Sequence, residues 1–147
     1  MSGILKLRKV RLVTVDAVPS DSSAPTIMGP ADAVKIARAI LPSDREGFLV
    51  MHLDSRHHMR SVELVSVGSL NAAIVHPREV FKGAILANAY ALIFAHNHPS
   101  GDPEPSAEDI LLTKRLAKGG AILDIPVLDH VVVGSTAHVS FKERKLL

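Results

Sequence analysis

The stretch that decides the fold of this chain is Ala91-Leu92-Ile93-Phe94-Ala95-His96-Asn97-His98-Pro99. Its first five residues are apolar throughout, which is typical of a short strand that is covered on both faces of a sheet. Residues two apart in a strand point to the same side. His96 and His98 are therefore predicted to project together from the end of this strand, while Asn97 points the other way and Pro99 ends the strand.

Helical and strand patterns alternate on both sides of this stretch. Helices are predicted at Ala31–Leu41, in the segment that begins with Pro77, and at Ser106–Lys118, which Gly119-Gly120 would close. Further strands are predicted at Phe48–Leu53, Val62–Val67, Ala121–Leu123, His130–Val133 and His138–Lys142. The alternation predicts the α/β class, with three α/β/α layers around a mixed sheet.

The chain has 147 residues, a length that is typical of one domain with a sizeable core. Residues 1–28 are predicted to form an N-terminal arm and linker. Within them Ile4–Val15 alternates like a strand, and the loop Pro19–Pro25 is rich in Ser, Asp and Pro. Residues 29–147 are predicted to form the folded domain.

Composition excludes several classes of protein. The chain has no cysteine, which excludes disulfide frameworks, thiolate zinc sites and iron–sulfur clusters. No apolar run approaches the ~20 residues that span a bilayer, and the N-terminus does not resemble a signal peptide, so we expect a cytoplasmic protein without membrane contact. The net charge of +2 and the aromatic content of 3% speak against strong nucleic-acid binding.

A metal site is predicted where the buried strand leads into the next helix. His96 and His98 form half of a zinc site that needs no thiolate. If Ser106 is the N-cap of the helix, Asp109 lies in its first turn on the stripe that faces the core, where a carboxylate needs a partner. Two His and one Asp would leave the fourth position of Zn²⁺ to water, which is the catalytic pattern. Ser106 with Asp109 is also a variant of the capping box, and this alternative stays open.

These residues resemble a known family. The pattern His96-x-His98-Pro99, six residues, then Ser106-x-x-Asp109 fits the signature of JAMM (MPN-type) metalloproteases, although most members carry Ser or Thr where this chain has Asn97. Three stretches resemble the RadC branch of that family in particular, and the likeness runs from about Pro30 to Phe141. The stretches are His96-Asn97-His98-Pro99-Ser100-Gly101, Val75-His76-Pro77-Arg78-Glu79-Val80 and Leu128-Asp129-His130.

The resemblance implies a cytidine-deaminase-like (JAB/MPN) fold for the folded domain, zinc bound by His96, His98 and Asp109, and an upstream glutamate as general base. Glu46 stands at the family's position for that base, at the start of a strand after the first helix, and Glu63 and Glu79 are its competitors. The resemblance also implies that the Ser106 hydroxyl supports an oxyanion. The paired residues Asp129 and His130 remain open between a structural role and one in orienting the site.

The function predicted from this resemblance is a zinc-dependent metallopeptidase or isopeptidase that acts on a peptide or protein substrate. The alternative is a DNA-associated RadC-type accessory protein whose metal is structural or regulatory. A metal-dependent nuclease would share the ligands but normally has more carboxylates, and the absence of cysteine excludes a base deaminase of the Cys-x-x-Cys type. The sequence predicts neither the identity of the substrate nor the oligomeric state.

Overall fold

The strand that carries the two histidines lies in the middle of a five-stranded sheet. The computed structural model describes residues 24–68 and 75–147. All seven residues of this strand are buried, as its apolar sequence predicts. In chain order the elements are α1 (Pro30–Ile40), β1 (Glu46–Leu53), β2 (Met59–Gly68), α2 (Pro77–Leu86), β3 (Ala91–Asn97), α3 (Ala107–Ile122), β4 (Val127–Val133) and β5 (His138–Ser140).

The sheet is mixed, with the strand order β2-β1-β3-β4-β5. Strand β1 is antiparallel to both β2 and β3, β3 is parallel to β4, and β4 is antiparallel to β5. Helix α1 packs on one face of the sheet, whereas α2 and α3 pack together on the other. Each face carries its own cluster of buried apolar residues. The predicted α/β class, with three layers around a mixed sheet, is confirmed.

The alternation of side chains along the strands separates the two cores. Residues Phe48 and Val50 of β1 and Phe94 of β3 lie on the α2/α3 side, while Leu49 and Met51 lie on the α1 side. Continuing this alternation along β3 places the His96 side chain towards α3 and that of Asn97 towards the α1 side. The central strand therefore presents neighbouring polar residues to opposite layers of the molecule.

Helix α3 is longer than predicted, and the expectation that Gly119-Gly120 would end it is wrong. The helix continues to Ile122, so Ala121–Leu123 does not form a strand. A Cβ on Gly120 would collide with the carbonyl oxygen of Ile125, so this glycine permits a close approach inside the helix. The helix ends instead where Asp124 adopts a φ of 56° and Ile125 N–H donates to the Gly120 carbonyl at 2.9 Å, as in a Schellman motif.

The predicted arm Ile4–Val15 lies outside the described residues, as does most of the predicted loop Pro19–Pro25, and the division between residues 1–28 and 29–147 stays a prediction. Strand β5 is shorter than the predicted His138–Lys142 and ends at Ser140. Within residues 24–68 and 75–147, no helix is both long and apolar enough to cross a bilayer.

Candidate metal centre

Two histidine rings meet at the carboxyl end of β3. His96 is the penultimate residue of this strand and His98 follows its last residue, so both side chains leave the same face, as strand geometry predicts. The ring centroids lie 4.8 Å apart. The His96 side chain is only 2% exposed, whereas that of His98 is 17% exposed, so the pair extends from the core to the surface.

The carboxylate of Asp109 completes a triangle with these rings. Its Oδ2 lies 3.2 Å from Nε2 of His96 and 3.1 Å from Nε2 of His98, and the two Nε2 atoms are 3.0 Å apart. In a tetrahedral zinc site with bonds of about 2.0–2.2 Å, two ligand atoms lie roughly 3.3–3.6 Å apart. The three atoms need to separate only slightly to hold such an ion.

Asp109 is held in place by the start of α3. Ser106 is the N-cap, and its side chain accepts a hydrogen bond from Asp109 N–H at 3.1 Å. The backbone N–H of Ser106 in turn donates to Oδ2 of Asp109 at 2.9 Å. The sequence leaves capping and metal binding open as alternatives for Asp109. The structure shows the capping box, and the oxygen that closes it also faces the two rings, so the two roles are compatible.

The tautomer of His98 suits a metal ligand. Its Nδ1 lies 2.8 Å from the carbonyl oxygen of Asp102, which can only accept, so Nδ1 carries a hydrogen. In the neutral ring the Nε2 lone pair then faces the Asp109 carboxylate. A proton or a metal ion on that lone pair relieves the repulsion between these electron-rich atoms, and the donor set of two imidazoles and one carboxylate is one that zinc accepts.

The charges of the centre are strongly coupled. Burial acts to raise the pKa of Asp109, but its hydrogen bonds with His96 and His98 outweigh burial and hold that pKa far below its usual range. The hydrogen bond with Asp109 raises the pKa of His98. Asp109 is therefore an anion at neutral pH, and it attracts a cation, whether proton or metal, to the space between the three side chains.

Glu46 reaches the same place from a distant part of the sequence. It begins β1, and because β1 runs antiparallel to β3, the start of β1 lies beside the end of β3, with Phe48 opposite His96. The ligand atoms of Glu46, His96, His98 and Asp109 all lie within 4.8 Å of one another. The structure thus brings together the predicted base and the three predicted ligands.

The two competing glutamates lie elsewhere. Glu79 is on α2, where its carboxylate oxygen Oε2 accepts a hydrogen bond from Lys82 Nζ at 2.6 Å. Glu63 is on β2, and its carboxylate packs against Gly83 of α2. Burial raises the pKa of Glu63, but neither carboxylate belongs to the group formed by Glu46 and the ligands.

Comparison with protein families gives a match over most of the chain. The family model of the RadC-like JAB domain matches residues 27–146. The chain belongs to this family. The resemblance predicted from the motif is thereby confirmed, and the match includes all four residues of the candidate centre.

Curated relatives from bacteria and archaea are similar over much of the chain. A UPF0758 protein of Desulfitobacterium hafniense is 50% identical over 127 residues, which cover 84% of this chain and 55% of that protein. One of Moorella thermoacetica is 53% identical over 104 residues, 71% of this chain and 45% of its own length. One of Methanosarcina acetivorans is 50% identical over 99 residues, 67% of this chain and 43% of its own. The chain spans about half the length of these relatives, whose names state no activity.

Asn97 is the residue at which this RadC-like domain departs from the commonest JAMM pattern. Its buried side chain lies on the α1 side of the sheet and links three backbone groups. Its side-chain oxygen accepts from Gly47 N–H at 2.9 Å, and its amide nitrogen donates to the carbonyls of Pro42 and Arg45 at 2.8 and 2.9 Å. These three partners surround Glu46 in the sequence. The residue between the two histidines therefore holds the segment that carries the candidate base.

The Ser106 hydroxyl lies at the edge of the RadC-like centre in an exposed residue. Its capping bond with Asp109 uses an oxygen lone pair, so the hydroxyl hydrogen remains able to donate. Capping and a donor role are therefore compatible in one side chain.

Asp129 and His130 lie on opposite faces of β4, and a carboxylate oxygen of Asp129 accepts from the backbone N–H of His130 at 2.7 Å. Asp129 accepts from Ser140 Oγ at 2.6 Å and from Lys142 N–H at 3.0 Å, so it anchors the chain around β5. His130 faces α3, where its Nε2 lies 2.7 Å from Nδ1 of His96. Its ring also contacts Thr113 of α3, a residue that no motif in the sequence singles out. The sequence signal for Thr113 is its position: it is a polar residue one helical turn after Asp109, on the helix stripe that continues to the buried Leu116.

Proposed function

We propose that this RadC-like JAB domain is a zinc-dependent hydrolase that cleaves an amide bond in a peptide or protein, with Glu46 as the general base. The convergence of Glu46 with His96, His98 and Asp109 supports it more than any other observation. Three ligands and a nearby carboxylate form the minimal set of protein groups for metal-assisted hydrolysis.

The three ligands would hold the ion in different ways. His96 is fixed in the core between β3 and α3, His98 is oriented by the Asp102 carbonyl, and Asp109 is oriented by its own helix start. A zinc ion at such a site supplies Lewis-acid chemistry, which acidifies water and polarises a carbonyl group.

Glu46 and Ser106 would handle the proton and the developing charge. Glu46 would take a proton from the attacking water and return it to the leaving amine, so that water adds across the amide bond and one carboxylic acid and one amine result. Ser106 would donate its hydroxyl hydrogen to the oxyanion that forms when the carbonyl is attacked.

Metal analysis and a substrate screen test this proposal together. Protein prepared with zinc is expected to contain one ion per chain; Asp109→Ala loses it, and Glu46→Gln keeps it. Incubation with a mixed peptide library, followed by mass spectrometry, is expected to show cleavage by the wild type and none by Glu46→Gln. Absence of bound zinc in the wild type, or full activity of Glu46→Gln, overturns the proposal.

The alternative of a DNA-associated accessory protein stays a prediction. A titration with duplex DNA at increasing salt tests it, because binding through phosphate contacts weakens steeply with salt. A steep slope would favour the alternative, and absence of binding at low salt would exclude it.

A further inference from the structure

Beneath the candidate metal centre lies a buried pair of polar side chains that the proposed reaction does not use. Thr113 and His130 are both fully buried. The Thr113 hydroxyl lies 2.7 Å from the carbonyl oxygen of Asp109 and 2.6 Å from Nδ1 of His130. On the far side of the same ring, His130 Nε2 lies 2.7 Å from Nδ1 of His96. A continuous chain of hydrogen bonds thus joins the backbone of one ligand to the ring of another.

The proton on each of these bonds follows from what the groups can donate. The Asp109 carbonyl can only accept, so the single hydroxyl hydrogen of Thr113 is donated to it. Thr113 must then accept from His130, which places a hydrogen on His130 Nδ1. In the neutral ring this leaves His130 Nε2 as an acceptor, and the hydrogen of that bond belongs to Nδ1 of His96.

The opposite set of proton positions conflicts with the geometry. If Thr113 donated to His130, two oxygen atoms without a hydrogen between them would face each other at the 2.7 Å contact with Asp109. His130 would then donate to His96, and the hydrogen of the neutral His96 ring would lie on Nε2, directed at His98 and Asp109. That arrangement would block the lone pair that a metal needs.

The surroundings of His130 keep the chain of bonds in place. Its ring is stacked on Phe141 with centroids 4.7 Å apart, and it meets the rings of Phe48 and Phe94 edge-on at 5.4 and 5.8 Å. The sequence has only four phenylalanines, and three of them enclose this one side chain. Such packing holds the ring in one orientation and keeps competing water away from its nitrogens.

We propose that Thr113 and His130 are positioning residues that hold His96 in the tautomer with hydrogen on Nδ1, so that its Nε2 lone pair is directed at the metal. This inference rests on the proposed function, because it takes His96 as a zinc ligand. Ligand histidines commonly donate their second N–H to a carboxylate or a carbonyl. Here another histidine accepts it, and a histidine can do so only because the threonine fixes its proton.

Nitrogen NMR of the metal-free protein tests the proton positions directly. The ¹⁵N shifts of histidine ring nitrogens distinguish the two tautomers, and we expect hydrogen on Nδ1 in both His96 and His130. In Thr113→Val, which keeps the shape but removes the hydroxyl, we expect His130 to lose this preference, and His96 with it. A neutral His96 ring with its hydrogen on Nε2 and none on Nδ1 in the wild type would overturn the proposal without the use of any variant.

Zinc affinity provides the second readout, measured with Zn²⁺ alone in competition with a chromogenic chelator. Loss of such an outer hydrogen bond typically weakens metal binding by about 10–100-fold, which is the loss expected for Thr113→Val. Thr113→Ser retains the hydroxyl and is expected to bind like the wild type. Thermal unfolding of both variants separates weaker binding from loss of the fold.

The outcomes separate this proposal from the proposed function. If the wild type binds zinc and Thr113→Val binds it equally well, the positioning role is wrong and the metal site stands. If the wild type binds no zinc, the proposed function fails, and the tautomers in the metal-free protein still decide the orientation of His96.

Discussion

The side-chain oxygen of Asn97 accepts a hydrogen bond of 2.9 Å from the backbone N–H of Gly47, fifty positions earlier in the chain. Gly47 follows Glu46, so this bond ties the candidate base to the strand that carries His96. The side chains of the two neighbouring residues leave β3 on opposite faces. His96 points towards α3, and Asn97 points towards the segment after α1.

Replacing Asn97 by Ala is expected to reduce turnover while zinc remains bound. The change leaves Gly47 N–H and the carbonyls of Pro42 and Arg45 without their buried partner. Each group that stays unsatisfied lowers the free energy of unfolding by about 1–3 kcal/mol. The segment around Glu46 would then shift, whereas the three ligands keep their own supports. Zinc content, denaturant unfolding and cleavage of a peptide found in the library screen check this. Loss of zinc as complete as in Asp109→Ala would contradict it.

Two substitutions of Ser106 separate capping from catalysis. Ser106→Ala removes both functions and is expected to lower the free energy of unfolding by about 1 kcal/mol. Ser106→Asp keeps an oxygen that can cap the helix but has no hydrogen to donate when ionised. We therefore expect Ser106→Asp to recover stability and not turnover, as measured by denaturant unfolding and peptide cleavage. Recovery of both would show that capping is the whole contribution of Ser106.

His52 should make the protein sensitive to acid. Burial lowers the pKa of His52 from 6.5 to about 4, so between these values the unfolded chain binds a proton that the folded chain does not. Stability is therefore complete above the unfolded pKa and falls as the pH drops through this window, by up to about 1.4 kcal/mol for each pH unit.

The variant His52→Asn isolates this effect from that of His130, which is also buried. Asn can keep a polar contact with Ser61, which lies 2.7 Å from His52 Nδ1, and it does not titrate. Burial also lowers the pKa of His130, so some acid sensitivity is expected to remain in the variant. Denaturant unfolding from pH 7 to pH 4 should show a shallower decline for His52→Asn, and parallel curves would argue against the assignment.

Gly120→Ala is expected to destabilise the protein although alanine is the better helix former. The gain in helix propensity is about 1 kcal/mol, whereas forcing a methyl group into a closely packed site costs about 1–3 kcal/mol. The added methyl group of Gly120→Ala would collide with the backbone carbonyl of Ile125, which cannot move without disturbing the end of α3. Gly119→Ala is the matched control, because a Cβ there meets the ring of Phe81 at 2.9 Å, and a side chain yields more easily. Equal midpoints of unfolding for the two variants would refute this explanation.

The parts of the centre that depend on local periodicity could be predicted from the sequence. The alternation of residues in a strand was enough to place His96 and His98 on one face and Asn97 on the other. The spacing of α3 was enough to place Asp109 on its inner stripe. Each of these predictions needed only one element, and the structure agrees with them.

The contacts that join distant elements could not be predicted in this way. Glu46 reaches the centre through the pairing of β1 with β3, which no local pattern encodes, so only the family resemblance indicated it. From the sequence alone, Gly119-Gly120 predicts the end of a helix. The actual role of Gly120, which permits close packing against Ile125, depends on a tertiary contact that a local pattern does not show. Local patterns do not indicate Thr113 for the same reason, since its partner His130 belongs to strand β4, whereas Thr113 lies on helix α3.

The capping box of α3 has a consequence for the motions of the domain. One carboxylate oxygen of Asp109 both closes the first helical turn and faces the two rings, so fraying of that turn would withdraw a proposed ligand. Opening of the helix start and release of the ion would then be a single event. Amide hydrogen exchange at the beginning of α3 would accordingly slow when zinc is added, and the mobility of these few residues would set how long the ion stays.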